Sequence, residues 1–309
     1  MSIFDKLFVR SKSASGSGQS LQQLLIDPSN WKGLSLQLLF PSAPVLEPDR
    51  LQSVLRAYGG LAANATYKVD AEGAKRRTPF GQAKWGPHIV DFVGIDAPMP
   101  PETIEQVVAP AHYAQPLKIQ ARAHKAHLLF YYRGSDPSGW EQYAALAAVA
   151  GATATQGALI VANEAAHTSL PAQVIDPRQI KGDRFAFLRE LPPLLLYMGF
   201  VKYNMENGHV WMRSYGGEKL GLPNLAKLAS GHQEGERTMD MFHTILGYLK
   251  DSGKRIADGH TLQISSEVFL KFRVPTQEEY FLHDPAGLLV LEEIAPDQIN
   301  RAPEASPVS

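Results

Sequence analysis

An α+β fold is predicted by three features of the sequence. Short apolar runs of strand length alternate with helical stripes, Asn207-Gly208 marks a β-hairpin, and one long amphipathic helix occupies residues 237–250. The order of elements divides the 309 residues into two lobes. Residues 30–176 fit a split βαβ, or ferredoxin-like, sandwich with one further α-β pair, and residues 177–295 fit a second α+β half built on the hairpin and the long helix. The flanking segments 1–29 and 296–309 are rich in Ser and Gly or in Pro and poor in large apolar groups, so flexible tails are expected there.

In the N-terminal lobe, Leu34 to Phe40 is an apolar strand ended by Pro41. Residues 48–58 follow as a helix: Leu51, Val54, Leu55 and Tyr58 fall at i, i+3, i+4 and i+7, Pro48 opens the first turn, and Gly59-Gly60 stops it. Residues 65–69 are a short edge strand, and Asp70 to Pro87 a polar loop carrying Lys75-Arg76-Arg77. His88 to Ile95 is a strand, 102–108 a helix entered through Pro100-Pro101, and 127–132, an unbroken apolar run, a buried strand. Ser138 caps a helix from Trp140 to Ala152, and 158–162 is the next strand. The uncharged stretch Tyr143 to Ala162 approaches the roughly 20 residues of a membrane span. Gly151, Gln156 and Gly157 divide it into a helix and a strand, so no membrane span is expected.

In the C-terminal lobe, β-rich runs at 194–203 and 209–215 are joined through Met205-Glu-Asn-Gly208. The helix from Arg237 to Lys250 carries Met239, Phe242, Ile245, Leu246 and Leu249 as its buried stripe. Asp258-Gly259 then turns the chain into strands at 261–264, 269–274 and 288–294.

Composition excludes several functions. With 0 Cys there is no nucleophilic thiolate, iron–sulfur cluster, thiolate zinc site or disulfide framework. A formal net charge of -1, from 30 Lys+Arg and 31 Asp+Glu, gives no footprint for nucleic acid. The N-terminus lacks the apolar core of a signal peptide, so a cytoplasmic protein is expected.

The sequence carries no recognised catalytic motif. No Gly-x-Ser-x-Gly elbow, Walker loop or Gly-x-Gly-x-x-Gly is present, and Ser29-Asn-Trp-Lys32 is a lone Ser-x-x-Lys without companion motifs. His124-Lys-Ala-His127 and Glu164-Ala-Ala-His167 have ligand-like spacing, but a strand starting at His127 puts the first pair on opposite faces, and neither pair has a third ligand. Whether His124, His127, Glu164 and His167 bind metal stays open, and no metal or cofactor is assigned. His243 lies beside the stripe of the long helix, where a boundary histidine is expected. Lys75-Arg76-Arg77, with Lys84, Arg122 and Lys125, is a solvated basic surface. In Glu278-Glu279 and Glu292-Glu293, adjacent carboxylates point apart and make no glycosidase pair.

Trp211-Met-Arg-Ser-Tyr-Gly-Gly217, followed by Leu220-Gly-Leu-Pro-Asn-Leu225 and then a helix, resembles the C-terminal signature of an uncharacterised bacterial family known only as a domain of unknown function. The resemblance spans about Leu194 to Val274. It implies a bacterial cytoplasmic accessory protein of the kind found near secretion or toxin–immunity systems, and it brings no catalytic residues. Physically, the segment is a rigid corner: Gly216-Gly217 accepts positive φ, Pro223 holds Leu222 extended, and Asn224 caps or turns the next segment.

The function expected is therefore a non-enzymatic protein-interaction module, an immunity or accessory protein whose partner is another protein, a toxin or secretion component. Trp85, Tyr113, Trp140, Trp211 and Tyr215 stand near element ends as candidate anchors, with core packing as their alternative. The alternatives in function are a hydrolase-like enzyme with a site assembled from distant residues, and a small-ligand sensor with a pocket between the lobes. Arg213, Tyr215, His243 and Glu164 are the pocket or interaction candidates.

Overall fold

The computed structural model describes residues 33–75, 77–265, 268–284 and 286–296. The expected tails and Ser29-x-x-Lys32 lie outside these residues. The fold is α+β, and the chain divides into two compact units between Leu191 and Pro192.

The first unit runs β1 (Ser35–Phe40), α1 (Pro48–Arg56), β2 (Thr66–Val69), α2 (Ala71–Lys75), β3 (Phe80–Trp85), β4 (His88–Ile95), α3 (Pro101–Val108), α4 (Gln115–Arg122), β5 (Ala126–Tyr132), α5 (Gly139–Ala154), β6 (Ile160–Asn163), β7 (Thr168–Pro171) and α6 (Arg184–Glu190). Its seven strands form one antiparallel sheet in the order β2-β3-β4-β5-β1-β6-β7. This order corrects the ferredoxin-like expectation. In that sandwich the first strand lies between the third and fourth, whereas here β1 lies between β5 and β6. The expected polar loop also holds a strand, β3, between β2 and β4: Phe80 to Trp85 puts Gly81, Ala83 and Trp85 on one face and Phe80, Gln82 and Lys84 on the other, and turns back through Gly86-Pro87, with Gly86 at φ 48° in a two-residue hairpin.

Strand parity assigns the two faces of this sheet. Leu36, Leu38, Phe92, Phe130 and Val161 share the face covered by α5, while Leu39, Ile160 and Ala162 face α3 and α4 and pack against Ile104, Val107 and Ala121. Helix α5 is buried from Tyr143 to its last residue, Ala154, which explains the charge-free run of that part of the sequence without a bilayer. Among the described residues no helix is long and apolar enough to cross a membrane. Its polar groups are satisfied locally. Thr153 Oγ1 donates to the Val149 carbonyl at 2.8 Å and pairs with the Tyr67 hydroxyl at 2.9 Å, and Asn163 Nδ2 donates to the Tyr143 hydroxyl at 3.1 Å. The lobe boundary expected at 176/177 falls at 191/192 because residues 172–175 and α6 both pack on α5.

The second unit contains α7 (Pro193–Leu196), β8 (Gly199–Asn204), β9 (Val210–Tyr215), β10 (Asn224–Ala229), α8 (Gly235–Ser252), β11 (Thr261–Gln263), β12 (Phe269–Arg273) and β13 (Leu288–Ile294). Its six-stranded sheet has the order β11-β12-β13-β10-β9-β8, with β10 and β13 parallel. The β8-β9 hairpin closes as the sequence predicts, Gly208 taking φ 82° and donating to the Met205 carbonyl at 3.1 Å. After the Gly-Leu-Pro corner the chain forms β10, not a helix, and Asn224 begins that strand instead of capping one. The buried stripe of α8 is Thr238, Met241, Phe242, Ile245, Leu246 and Leu249, so Met241 takes the core place expected for Met239.

Candidate functional site

The register of the second sheet sorts its side chains onto two faces. Phe200, Met212 and Leu225 lie under α8, where the Phe200 and Phe242 rings meet edge to face at 5.7 Å. Tyr203, Trp211, Arg213, Tyr215, Asn224, Ala226 and Leu228 occupy the opposite face. There Trp211, Ala226, Leu288 and Val290 pack against Leu282, from a segment 276–284 that crosses the sheet and contains the 3₁₀ turn Tyr280–Leu282.

Two ion pairs clamp that segment. Arg273, on β12, binds the Glu279 carboxylate through two bonds of 2.6 and 2.8 Å and also holds Glu292. The pair keeps the Glu279 carboxyl below the usual carboxylate range. At the other end Arg213 donates to Asp284 at 2.8 Å, and Asn224 Nδ2 donates to the same carboxylate oxygen at 3.1 Å. The Arg213 side chain is only 4% exposed and lies over the Tyr215 ring at 4.0 Å, with its Nε–H lacking an acceptor among the described residues. Tyr215 and Tyr203 are bonded through their hydroxyls, and burial raises the Tyr215 phenol above its ordinary range. Between the clamps Leu282 points into the core while Tyr280 and Phe281 stay 73% and 40% exposed.

Phe281 also meets Trp211 at 6.2 Å, and Trp211 is flanked across the strands by Tyr203 and Leu228, 38% and 43% exposed. Exposed apolar side chains thus sit on an ordered platform. The sequence located Arg213 and Tyr215 but missed Tyr280 and Phe281, because two aromatics in a row carry no periodicity. Of the aromatic anchors expected, Trp85 and Trp211 are core residues, and Tyr113 is half-buried with its hydroxyl on Ser169 at 3.0 Å.

Arg213 and Tyr215 are brought together, His243 does not join them, and Glu164 belongs to the first unit. His243 is on α8, which covers the other face of the sheet. Glu164 belongs to the first unit, in a one-turn 3₁₀ helix between β6 and β7 that Asn163 caps and His167 ends at φ 54°. Its N–H donates to Gln37 Oε1 at 3.2 Å, and burial raises its carboxyl above the ordinary range.

The histidine pair is explained by backbone contacts. His124 accepts from the Met99 N–H at Nε2 and donates to the Ala121 carbonyl from Nδ1, at 2.8 and 2.7 Å, which occupies both ring nitrogens. His127 donates from Nδ1 to the Ala97 carbonyl at 2.8 Å. Burial lowers both imidazoles, His127 to about 4. No three metal-ligating side chains converge among the described residues. Three of the basic residues are paired: Lys75 with Glu72 at 2.8 Å, Arg77 with Asp96 at 3.7 Å, and Arg122 with Glu105 at 2.6 Å.

The chain matches no protein-family model, no curated protein and no solved structure. The features that bear on function are the clamped aromatic surface and one small cavity in the first unit. That cavity, of about 60 Å³, is lined by Trp85, His88, Asp183, Phe185 and Arg189 together with the Gly60-Leu61 turn.

Proposed function

We propose that the protein is a protein-interaction module that binds another protein through the surface of its second unit centred on Tyr280 and Phe281. The observation that carries this reading is that two large aromatics are left in solvent between two ion-paired clamps. Aromatic side chains dominate binding energy at protein interfaces. Ordering them before contact removes about 0.5–1.5 kcal/mol of side-chain entropy cost for each residue fixed. Tyr203 and Leu228 extend the apolar area, and the balance of 30 Lys+Arg against 31 Asp+Glu favours a protein partner over nucleic acid.

A cytoplasmic immunity or accessory role beside a toxin or secretion system rests on the resemblance of the Trp211–Leu225 segment to the uncharacterised bacterial family. No hydrolytic site is part of the proposal: within the second unit Arg213 lies on the sheet face opposite the one covered by α8, the helix that carries His243.

Affinity capture from its own cells tests the reading, with Tyr280→Ser/Phe281→Ser as the comparison. The expected result is a partner enriched by the parent protein and lost from the double variant, whose circular dichroism is unchanged. Equal recovery with both baits refutes the proposed surface.

A further inference from the structure

The edge strand of a sheet presents a row of unpaired backbone N–H and C=O groups, which folds normally blunt. In the first unit Gln52 accepts the Tyr67 N–H of edge strand β2 at 3.1 Å, and Arg56 donates to the Ala65 carbonyl just before it at 2.8 Å. The other edge, β7, has four residues and ends in Pro171. In the second unit the edge strand β11 is three residues long. Strand β8, at the opposite end of that sheet, uses none of these devices: it has six residues and no proline.

The hairpin fixes which β8 groups face outward. The Met205 N–H donates to the His209 carbonyl at 2.9 Å, so Met205 is bonded toward β9. The alternation of an antiparallel ladder then turns the backbone of Tyr203, Val201 and Gly199 inward to Trp211, Arg213 and Tyr215, and that of Asn204, Lys202 and Phe200 outward. The Leu225 N–H, which reaches Ser214 Oγ at 2.8 Å from the far side of β9, agrees with this phase. Among the described residues nothing bonds to the outward groups of β8.

An extended chain completes such an edge, because it supplies donors and acceptors at the strand repeat. The side chains select which chain. Val201 and Tyr203 lie on the face of Trp211 and Phe281, whereas Lys202 lies on the α8 face, where its ammonium rests against Gly235. Lys202 has no carboxylate partner among the described residues. A second copy is disfavoured: the antiparallel self-pairing that uses all three outward positions centres on Lys202 and sets two ammonium groups side by side. A carboxylate in that place is stabilising.

We propose that an extended segment of the partner protein adds a seventh strand to the second sheet along β8, with an acidic residue opposite Lys202 and apolar residues opposite Val201 and Tyr203. This strand addition rests on the protein-binding role proposed for the Tyr280 surface, which Tyr203 adjoins through Trp211. It is read at Lys202 and Asn204, so a failed edge and a failed Tyr280 surface are distinguishable.

The probes are the capped peptide Thr-Val-Glu-Val-Glu-Val-Thr and its counterpart with lysine for glutamate, titrated into the full chain and followed by amide ¹H–¹⁵N resonances and hydrogen exchange. The acidic peptide should bind saturably and slow exchange of the Lys202 and Asn204 amides by about tenfold or more, while the Val201 and Tyr203 amides, already in the ladder, stay unchanged. The lysine peptide should not bind. Lys202→Pro removes one outward N–H and no ladder bond, and should abolish the response; Lys202→Gln keeps the N–H and should weaken binding several-fold. If Lys202→Pro does not fold, the acidic peptide N-methylated at both glutamates takes its place and should not bind. No saturable binding, equal binding of the lysine peptide, or uniform slowing across residues 201–204 overturns the proposal. A parent chain that sediments as a dimer, and as a monomer after Lys202→Pro, would overturn it too, since a second copy would then fill the edge.

Discussion

Arg213 and Asp284 form a 2.8 Å ion pair across the second sheet, the arginine side chain 4% exposed and the aspartate 14%. The asymmetry matters. Removing the aspartate strands a buried cation, whereas removing the arginine leaves a carboxylate nearer to water. Asp284→Ala should therefore cost about 3–5 kcal/mol, and Arg213→Met less. Urea midpoints with unchanged slope check the order, and amide exchange at residues 279–284 should accelerate more in the aspartate variant.

A second expectation concerns Gly151 in the middle of α5. A Cβ there would overlap both the Ile175 carbonyl and the Tyr58 hydroxyl, two groups hydrogen-bonded to each other. Gly151→Ala should destabilise by about 1–3 kcal/mol as an overpacking change. Tyr58→Phe, which removes the hydroxyl and its one bond, should cost about 1 kcal/mol. In the double variant the penalties should not add, because loss of the hydroxyl relieves part of the overlap.

Burial holds His127 at about 4 and lowers His88 and His124 as well. Because the folded chain binds these protons less readily than the unfolded chain, their contribution is fully present above pH 6.5 and is lost as pH falls from 6.5 through about 4. For His127 the loss is on the order of 3 kcal/mol. Urea unfolding between about pH 7 and 4.5 should show stability falling with acid, and His127→Gln should flatten that slope.

Glu164 has the opposite sign. Its raised carboxyl takes up a proton more readily in the folded chain, so the charged form opposes folding at neutral pH and the penalty disappears on acidification. Glu164→Gln should raise the urea midpoint at pH 7, and the difference should shrink as the parent carboxyl protonates.

The α+β class, helix α8 and the β8-β9 hairpin were legible because each is written in local periodicity or turn chemistry. Strand β3 was hidden by Gly81, Gln82 and Lys84, although its Gly86-Pro87 turn was visible. Glycine is needed at position 81 because a Cβ would strike the Lys68 carbonyl and the Phe92 ring, a contact between strands that no local reading reveals. Helix α4 and strand β10 were missed for a related reason: α4 has only Ala121 fully buried, and β10 is specified by pairing with β9 and β13. Arg213 and Tyr215 could be nominated from a distinctive strand end, but Asp284 and Glu279 are 71 and 6 residues from their arginines along the chain. Such pairings exist only once the sheet has formed.

The most direct test of the binding surface is site-specific photocrosslinking in the protein's own cells, with Tyr280→benzoylphenylalanine compared with Tyr248→benzoylphenylalanine. Tyr248 is exposed on α8, the helix covering the other face of the same sheet. A protein-binding surface at Tyr280 requires one discrete adduct from position 280 and none of that mass from 248. No adduct from 280, or the same adduct from both positions, would contradict it.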